Sequence, residues 1–337
     1  MAELTVFADP AHDDHVVSPR HPERRARLDA AMLALDAADL RDAAEVRVPR
    51  EATRDELALV HDADYVAAVE AFCEAGGGAL DQDTTASPGS WATARRASGA
   101  VLDAIDALRA GSTKVAFAAN RPPGHHAERD RTMGFCLFNN VAVGAAAIAS
   151  GGERVAVVDW DVHHGNGTQH MFYERSDVMY VSTHQAPLYP GTGHLLERGA
   201  GEGIGTNLNV PFPPGTAGDA FRAAFDEVIL PELERFAPDW LLISAGFDAH
   251  RADPLADLEL TAGDYADFTR RLMTVVPAGR VAVVLEGGYD LDAITMGVGA
   301  TLSTLLGGTY RPEAASRGDT GMGAVGLSKQ AIAGNWA

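Results

Sequence analysis

The chain of 337 residues carries 47 acidic and 27 basic side chains, a formal net charge of −20, and Lys114 and Lys329 are its only lysines. That balance disfavours binding to a nucleic-acid backbone, which needs a basic face, and no apolar stretch is long enough to span a bilayer as a helix. A hydrophobic content of 46% fits a substantial core, and two cysteines, Cys73 and Cys136, make neither a disulfide framework nor a C-x-x-C zinc motif.

From the N-terminus, Met1 to Thr5 has no basic region followed by an apolar one, so a cytoplasmic location is expected. Leu4 to Ala8 reads as a first strand. Pro22 suits the first position of a helix running through Leu28, Met32 and Leu35. Thr53 with Glu56 makes a capping box that opens a helix toward Val60. A long amphipathic helix is predicted over Ser90 to Ala110, ending at Gly111, followed by a strand over Val115 to Ala118 and a helix from Asn140 to Ala149. Val155 to Val158 and Met179 to Ser182 read as strands. Helix Ala220 to Phe236 then precedes strand Leu241 to Ser244, and helix Gly263 to Val276 precedes strand Val281 to Leu285. A helix over Leu291 to Leu306 closes the pattern, and Arg311 to Ala337 is weakly patterned. Such alternation implies an α/β fold, a mostly parallel central sheet with helices on both faces.

Four of the apolar strands run into polar, glycine-bearing loops. These are Arg121-Pro122-Pro123-Gly124-His125-His126, Asp159-Trp160-Asp161-Val162-His163-His164-Gly165-Asn166-Gly167, Ala245-Gly246-Phe247-Asp248 and Glu286-Gly287-Gly288-Tyr289. In an open parallel sheet the carboxyl ends of the strands lie along one edge, where ligands bind. Topology alone therefore brings these loops together. If the extended geometry persists past the second strand, alternation puts Asp159, Asp161 and His163 on one face. A carboxylate and an imidazole so spaced form half of a first-row metal site. Taken alone, D-x-H also suits a polar turn with a satisfied histidine.

In this order the four loops resemble the histone deacetylase family and its acetylpolyamine amidohydrolase relatives, over roughly residues 4 to 306. The resemblance implies the arginase/deacetylase-type three-layer fold, with residues 1–310 as a single deacetylase catalytic domain and 311–337 as a tail or packing segment. It implies cleavage of an acetyl amide with one Zn2+ per chain, held by Asp161, His163 and Asp248. Two carboxylates and one imidazole leave a position open for water and the substrate carbonyl, as catalytic zinc requires. His125 and His126 would supply acid–base chemistry, with Asp159 facing His125 and Asn166 facing His126. The amide partner, as in the class II branch, makes His126 the expected general base. Tyr289 is expected to donate to the oxyanion.

The resemblance also implies a substrate tunnel walled by Gly134, Phe135 and Tyr189, with Leu255 at the rim and Asp83 holding a peptide backbone. Asp159, Asp161, His163, Ser182 and Thr183 would build a monovalent-cation site for K+ or Na+. His164 is not counted as a ligand, and His12, His15, His21, His61, His170, His184, His194 and His250 need no catalytic role. The expected partner is an acetylated small amine or an acetyl-lysine protein, with no nucleic acid and no membrane; a homo-oligomer stays open. Acidity suits a cationic substrate but serves solubility equally. Two other readings share parts of the pattern, a binuclear manganese ureohydrolase of arginase type and a non-catalytic acyl-amine-binding protein.

Overall fold

The apolar runs become strands of one sheet in the computed structural model, which describes residues 2–9 and 14–334. The first half of the chain forms β1 (Ala2–Phe7), α1 (Ala26–Ala37), β2 (Ala44–Arg47), α2 (Arg54–Leu57), α3 (Ala63–Glu74), β3 (Gly78–Ala79), β4 (Thr85–Ala86), α4 (Ser90–Arg109), β5 (Thr113–Ala118) and α5 (Asn140–Ser150). The second half forms β6 (Val155–Asp159), α6 (Asn166–Phe172), β7 (Val178–Gln185), β8 (Asn207–Phe212), α7 (Gly218–Ala224), α8 (Leu230–Phe236), β9 (Trp240–Ala245), α9 (Ala262–Leu272), β10 (Val281–Leu285), α10 (Leu291–Leu305) and α11 (Met322–Gly334). A π-helical turn, Phe225–Ile229, joins α7 to α8.

The main sheet has eight strands in the order β2-β1-β5-β10-β9-β6-β7-β8, and every pairing in it is parallel. Alternate residues of its central strands enter opposite cores. Ala156, Val158, Leu241, Ile243, Val281 and Val283 belong to one apolar cluster, while Val155, Val157, Trp240, Leu242, Ala282 and Val284 belong to the other. Burial on both faces explains why these strands read as continuous apolar runs rather than alternating ones. The family resemblance's α/β fold, with a parallel sheet between helical layers, is the fold observed. β5, β10, β9 and β6 are adjacent at the centre of the sheet, so the four polar loops all leave from neighbouring carboxyl ends.

Several local expectations change. The helix expected from Pro22 begins at Ala26, because Glu23 is drawn into a buried ion pair with Arg121 and its amide donates to His21 Nδ1 at 3.1 Å. The capping box of Thr53 and Glu56 forms, but α2 is only four residues long. The long helix over 220–236 is interrupted by the π turn. Residues 311–337 include α11, which lies against β8, α7 and the π turn and buries Val325, Ser328 and Ala331. His12 lies outside the described residues.

Candidate active site

Strand β6 ends at Asp159, and the chain then leaves the extended conformation. Asp159, Asp161 and His163 therefore do not share a face by strand alternation. Instead each carboxylate turns back onto the chain. Asp161 N donates to Asp159 Oδ1 at 3.1 Å, and His163 N donates to Asp161 Oδ1 at 2.9 Å. These side-chain-to-backbone turns aim Asp161 and His163 at one point, while Asp159 is turned toward His125.

Asp161, His163 and Asp248 offer ligand atoms that all lie within 4.8 Å of one another. His163 Nδ1 is 3.2 Å from both Asp161 Oδ1 and Asp248 Oδ2. The edge of a tetrahedron with bonds of about 2.0–2.1 Å is about 3.3 Å, so this spacing fits a first-row divalent ion. Burial works against a charge on His163, yet its hydrogen bonds to the accepting carboxylates of Asp161 and Asp248 push its pKa up to about 10. The same carboxylates that hold a proton at Nδ1 would favour a metal cation in its place. Backbone amides fix their outer oxygens, Gly287 N to Asp161 Oδ2 at 2.8 Å and Val162 N to Asp248 Oδ1 at 2.9 Å. A Cβ on Gly287 would overlap both carboxylates, which is why this loop needs glycine there.

The tandem histidines differ in their partners. His125 Nδ1 donates to Asp159 Oδ2 at 3.0 Å, and Tyr180 Oη donates to the same oxygen at 3.0 Å. Burial opposes its charge, but Asp161 and Asp159 override that and push His125 up to about 10. His126 Nδ1 meets Asn166 Oδ1 at 2.8 Å. Burial, and then the charges of His125 and His163, hold His126 well below the ordinary histidine range. The carboxylate partner thus favours the charged form of His125, and the surroundings of His126 favour its neutral form. The loop bearing both is pinned by Glu286, whose Oε2 accepts from Gly124 N at 2.7 Å and His125 N at 3.1 Å.

Tyr289 sits where the β10 loop turns back. Its amide donates to Asp253 Oδ2 at 2.7 Å, and the Arg27 guanidinium lies 5.1 Å from its ring centre. Burial raises the phenol well above its ordinary range against the pull of Arg27, so it stays a proton donor. Arg27 also donates to the carbonyls of Glu286 and Gly288. Burial opposes ionisation of Glu23, but His15, Arg121 and Arg27 hold its carboxyl well below the usual range.

A cavity of about 210 Å³ leads to these groups, lined by Asp83, His126, Gly134, Phe135, His163, Leu188, Tyr189, Leu255 and Tyr289. All five expected substrate-binding residues are in that lining. Gly134 and Phe135, at φ 55° and 68°, form the tip of a tight turn in which Met133 and Cys136 exchange both backbone hydrogen bonds, at 3.2 and 2.9 Å. Positive φ at both tip positions is the two-residue hairpin geometry, and it presents the Phe135 ring to the cavity. The Tyr189 ring stands edge-on to His126, 5.2 Å between centres.

Ser182 is the register partner of Asp159, but its hydroxyl bonds His184 Nδ1 at 2.9 Å. Thr183 Oγ1 reaches the Asp159 carbonyl at 3.5 Å. His164 spends both ring nitrogens on Thr192 and Gln169, outside the ligand cluster. Among the residues assigned no role, His21 touches Phe135, 4.6 Å between ring centres. Sequence reasoning missed Arg27, Glu23, Asp253 and Glu128. Asp253 stood beside Leu255 in the same loop, and Glu128 follows the tandem histidines by two residues, yet neither carried a motif spacing.

The histone deacetylase domain model matches residues 21–305. The histone deacetylase-like amidohydrolase of Pseudomonas aeruginosa is 42% identical over 287 residues, covering 83% of this chain and 74% of that protein. A probable deacetylase of Archaeoglobus fulgidus is 40% identical, covering 82% and 79%. The crystal structure of the HDA15 HD domain superposes with a TM-score of 0.91 at 36% identity, over 99% of this chain and 95% of that one.

Proposed function

The chain belongs to the histone deacetylase family, and from that premise we propose that it is a zinc-dependent amidohydrolase removing acetyl or other acyl groups from acylated lysine or polyamine amines. The observation that carries this reading is that His163 of the three-residue cluster, His126 and Tyr289 line one cavity. Two carboxylates and an imidazole suit one zinc ion, which when bound polarises the amide carbonyl and eases deprotonation of water. His126, neutral and held through Nδ1, takes the proton of the attacking water at Nε2 and later passes it to the leaving amine. His125 stays protonated against Asp159 and stabilises negative charge. Tyr289 donates to the carbonyl oxygen as it gains charge. Phe135 and Tyr189 enclose the aliphatic chain, and Asp83 accepts from donors of the substrate at the mouth. Asp159, Asp161, His163, Ser182 and Thr183 are the proposed surroundings of a K+ or Na+ ion.

Leu255 at the rim favours an acyl-lysine chain, since it offers no charge to a second ammonium. The Asp253 carboxylate nearby is turned to the amides of Tyr289 and Leu255. The test is a turnover panel of acetyl-lysine peptides, acetylated polyamines and longer acyl-lysines on zinc-loaded protein. Acetate release from the peptides, with slower release from polyamines, is expected. No product from any member at full zinc occupancy would sink the amidohydrolase reading.

A further inference from the structure

The carboxylate behind Asn166 has no part in the steps above. Glu128 is 6% exposed, and its Oε1 accepts from Asn166 Nδ2 at 2.6 Å. Both its oxygens lie 2.8 Å from His170 Nδ1, and Arg131 approaches to 3.6 Å. Burial disfavours its charge, but these partners together hold it below the usual carboxylate range. An ionised carboxylate only accepts. Asn166 must therefore turn its NH2 toward Glu128, and the same group donates to the His126 carbonyl at 3.3 Å and meets the Met133 thioether at 3.4 Å. What remains for His126 Nδ1 is the amide oxygen, at 2.8 Å. His126 must then carry its proton on Nδ1 and keep the Nε2 lone pair free.

An aspartate in place of Asn166 would have an oxygen at either end and no orientation to choose. An amide has two unlike ends of nearly the same shape, so only its neighbours select the orientation. Turned over, Asn166 would offer N–H to Nδ1 and force the proton of a neutral His126 onto Nε2, the atom that has to accept one. We propose that Glu128 is a positioning residue that locks the Asn166 amide and thereby keeps His126 in the tautomer with Nε2 free. The consequence for catalysis rests on the reading of His126 as general base; the tautomer itself does not.

The test compares Glu128→Leu and Glu128→Gln in the native and Asn166→Asp backgrounds. Two readouts are followed: histidine 15N spectra of the zinc-loaded protein and steady-state kinetics on an acetyl-lysine peptide. In the native background Glu128→Leu is expected to move the His126 signal toward the Nε2-protonated form. It should also lower kcat about 10- to 100-fold, part of the roughly 100- to 10,000-fold that a general base supplies, with KM little changed. Glu128→Gln, which keeps an acceptor oxygen, regains most of that loss. In the Asn166→Asp background the sign reverses. The carboxylate introduced there needs no lock and is repelled by Glu128, so replacing Glu128 raises kcat. A merely structural Glu128 would harm both backgrounds alike, and that result overturns the proposal, as does an unchanged tautomer in Glu128→Leu. A shifted tautomer with native kcat supports the lock and instead refutes His126 as the base.

Discussion

Tyr289 is held by two residues that no motif announces. Asp253 takes its backbone amide at 2.7 Å, and Arg27 lies 5.1 Å from its ring centre while bonding the carbonyls on either side of Gly287. We expect Tyr289→Phe to lower kcat about 100- to 1000-fold, the usual loss for one oxyanion donor, with KM nearly constant. Steady-state kinetics on an acetyl-lysine peptide check this, and an effect confined to KM would assign the phenol to binding rather than chemistry. The candidate ligand cluster, the tandem histidines and Tyr289 were legible as a group because each sits in a short run of distinctive residues. Arg27 was not, because its partner Gly288 is 261 positions away. Nothing near Arg27 in sequence distinguishes it from a surface arginine of an amphipathic helix.

The elements read most faithfully are the buried parallel strands and the helices between them. β10 coincides with the predicted Val281 to Leu285, and α10 with Leu291 to Leu306 within one residue. The missed ones have physical reasons. β8 carries Pro211 and two asparagines at the sheet's edge, where a missing N–H is tolerated. The start of α1 is displaced from Pro22 because the Glu23 ion pair outweighs local helix preference. α11 follows a weakly patterned stretch, and only its packing explains it. Truncation after Asp319 would remove Val325 and Ala331, 2% and 9% exposed, and uncover the apolar side chains of β8 and α7 on which α11 packs. We expect a loss of about 3 kcal/mol, from roughly 1.5–3 kcal/mol per large apolar side chain plus the surface uncovered opposite. Denaturant unfolding of the truncated chain measures it. An unchanged midpoint would make residues 320–337 a dispensable tail.

Across the whole molecule, the sheet gathers charge as well as loops. Asp161 and Asp248 are fully buried within reach of one imidazole, in a chain whose net charge is already −20. Chelation should therefore destabilise the protein, by about 2.7 kcal/mol relative to a zinc concentration 100-fold above Kd, and abolish turnover. Thermal melts with zinc added back should saturate at one equivalent per chain. Saturation at two would favour the binuclear reading, although the described residues contain one such three-residue cluster. By itself the sequence determined the α/β alternation, the four polar loops and which side chains are the candidates for metal binding and catalysis, because buried strands and short motifs are local patterns. Only the tertiary structure decided how those side chains are oriented. The carboxylates of Glu23, Glu128, Asp253 and Glu286 and the guanidinium of Arg27 act across long separations in the chain. Burial makes each of their hydrogen bonds costly to lose, and those bonds hold the loops and the backbone of Tyr289 in place.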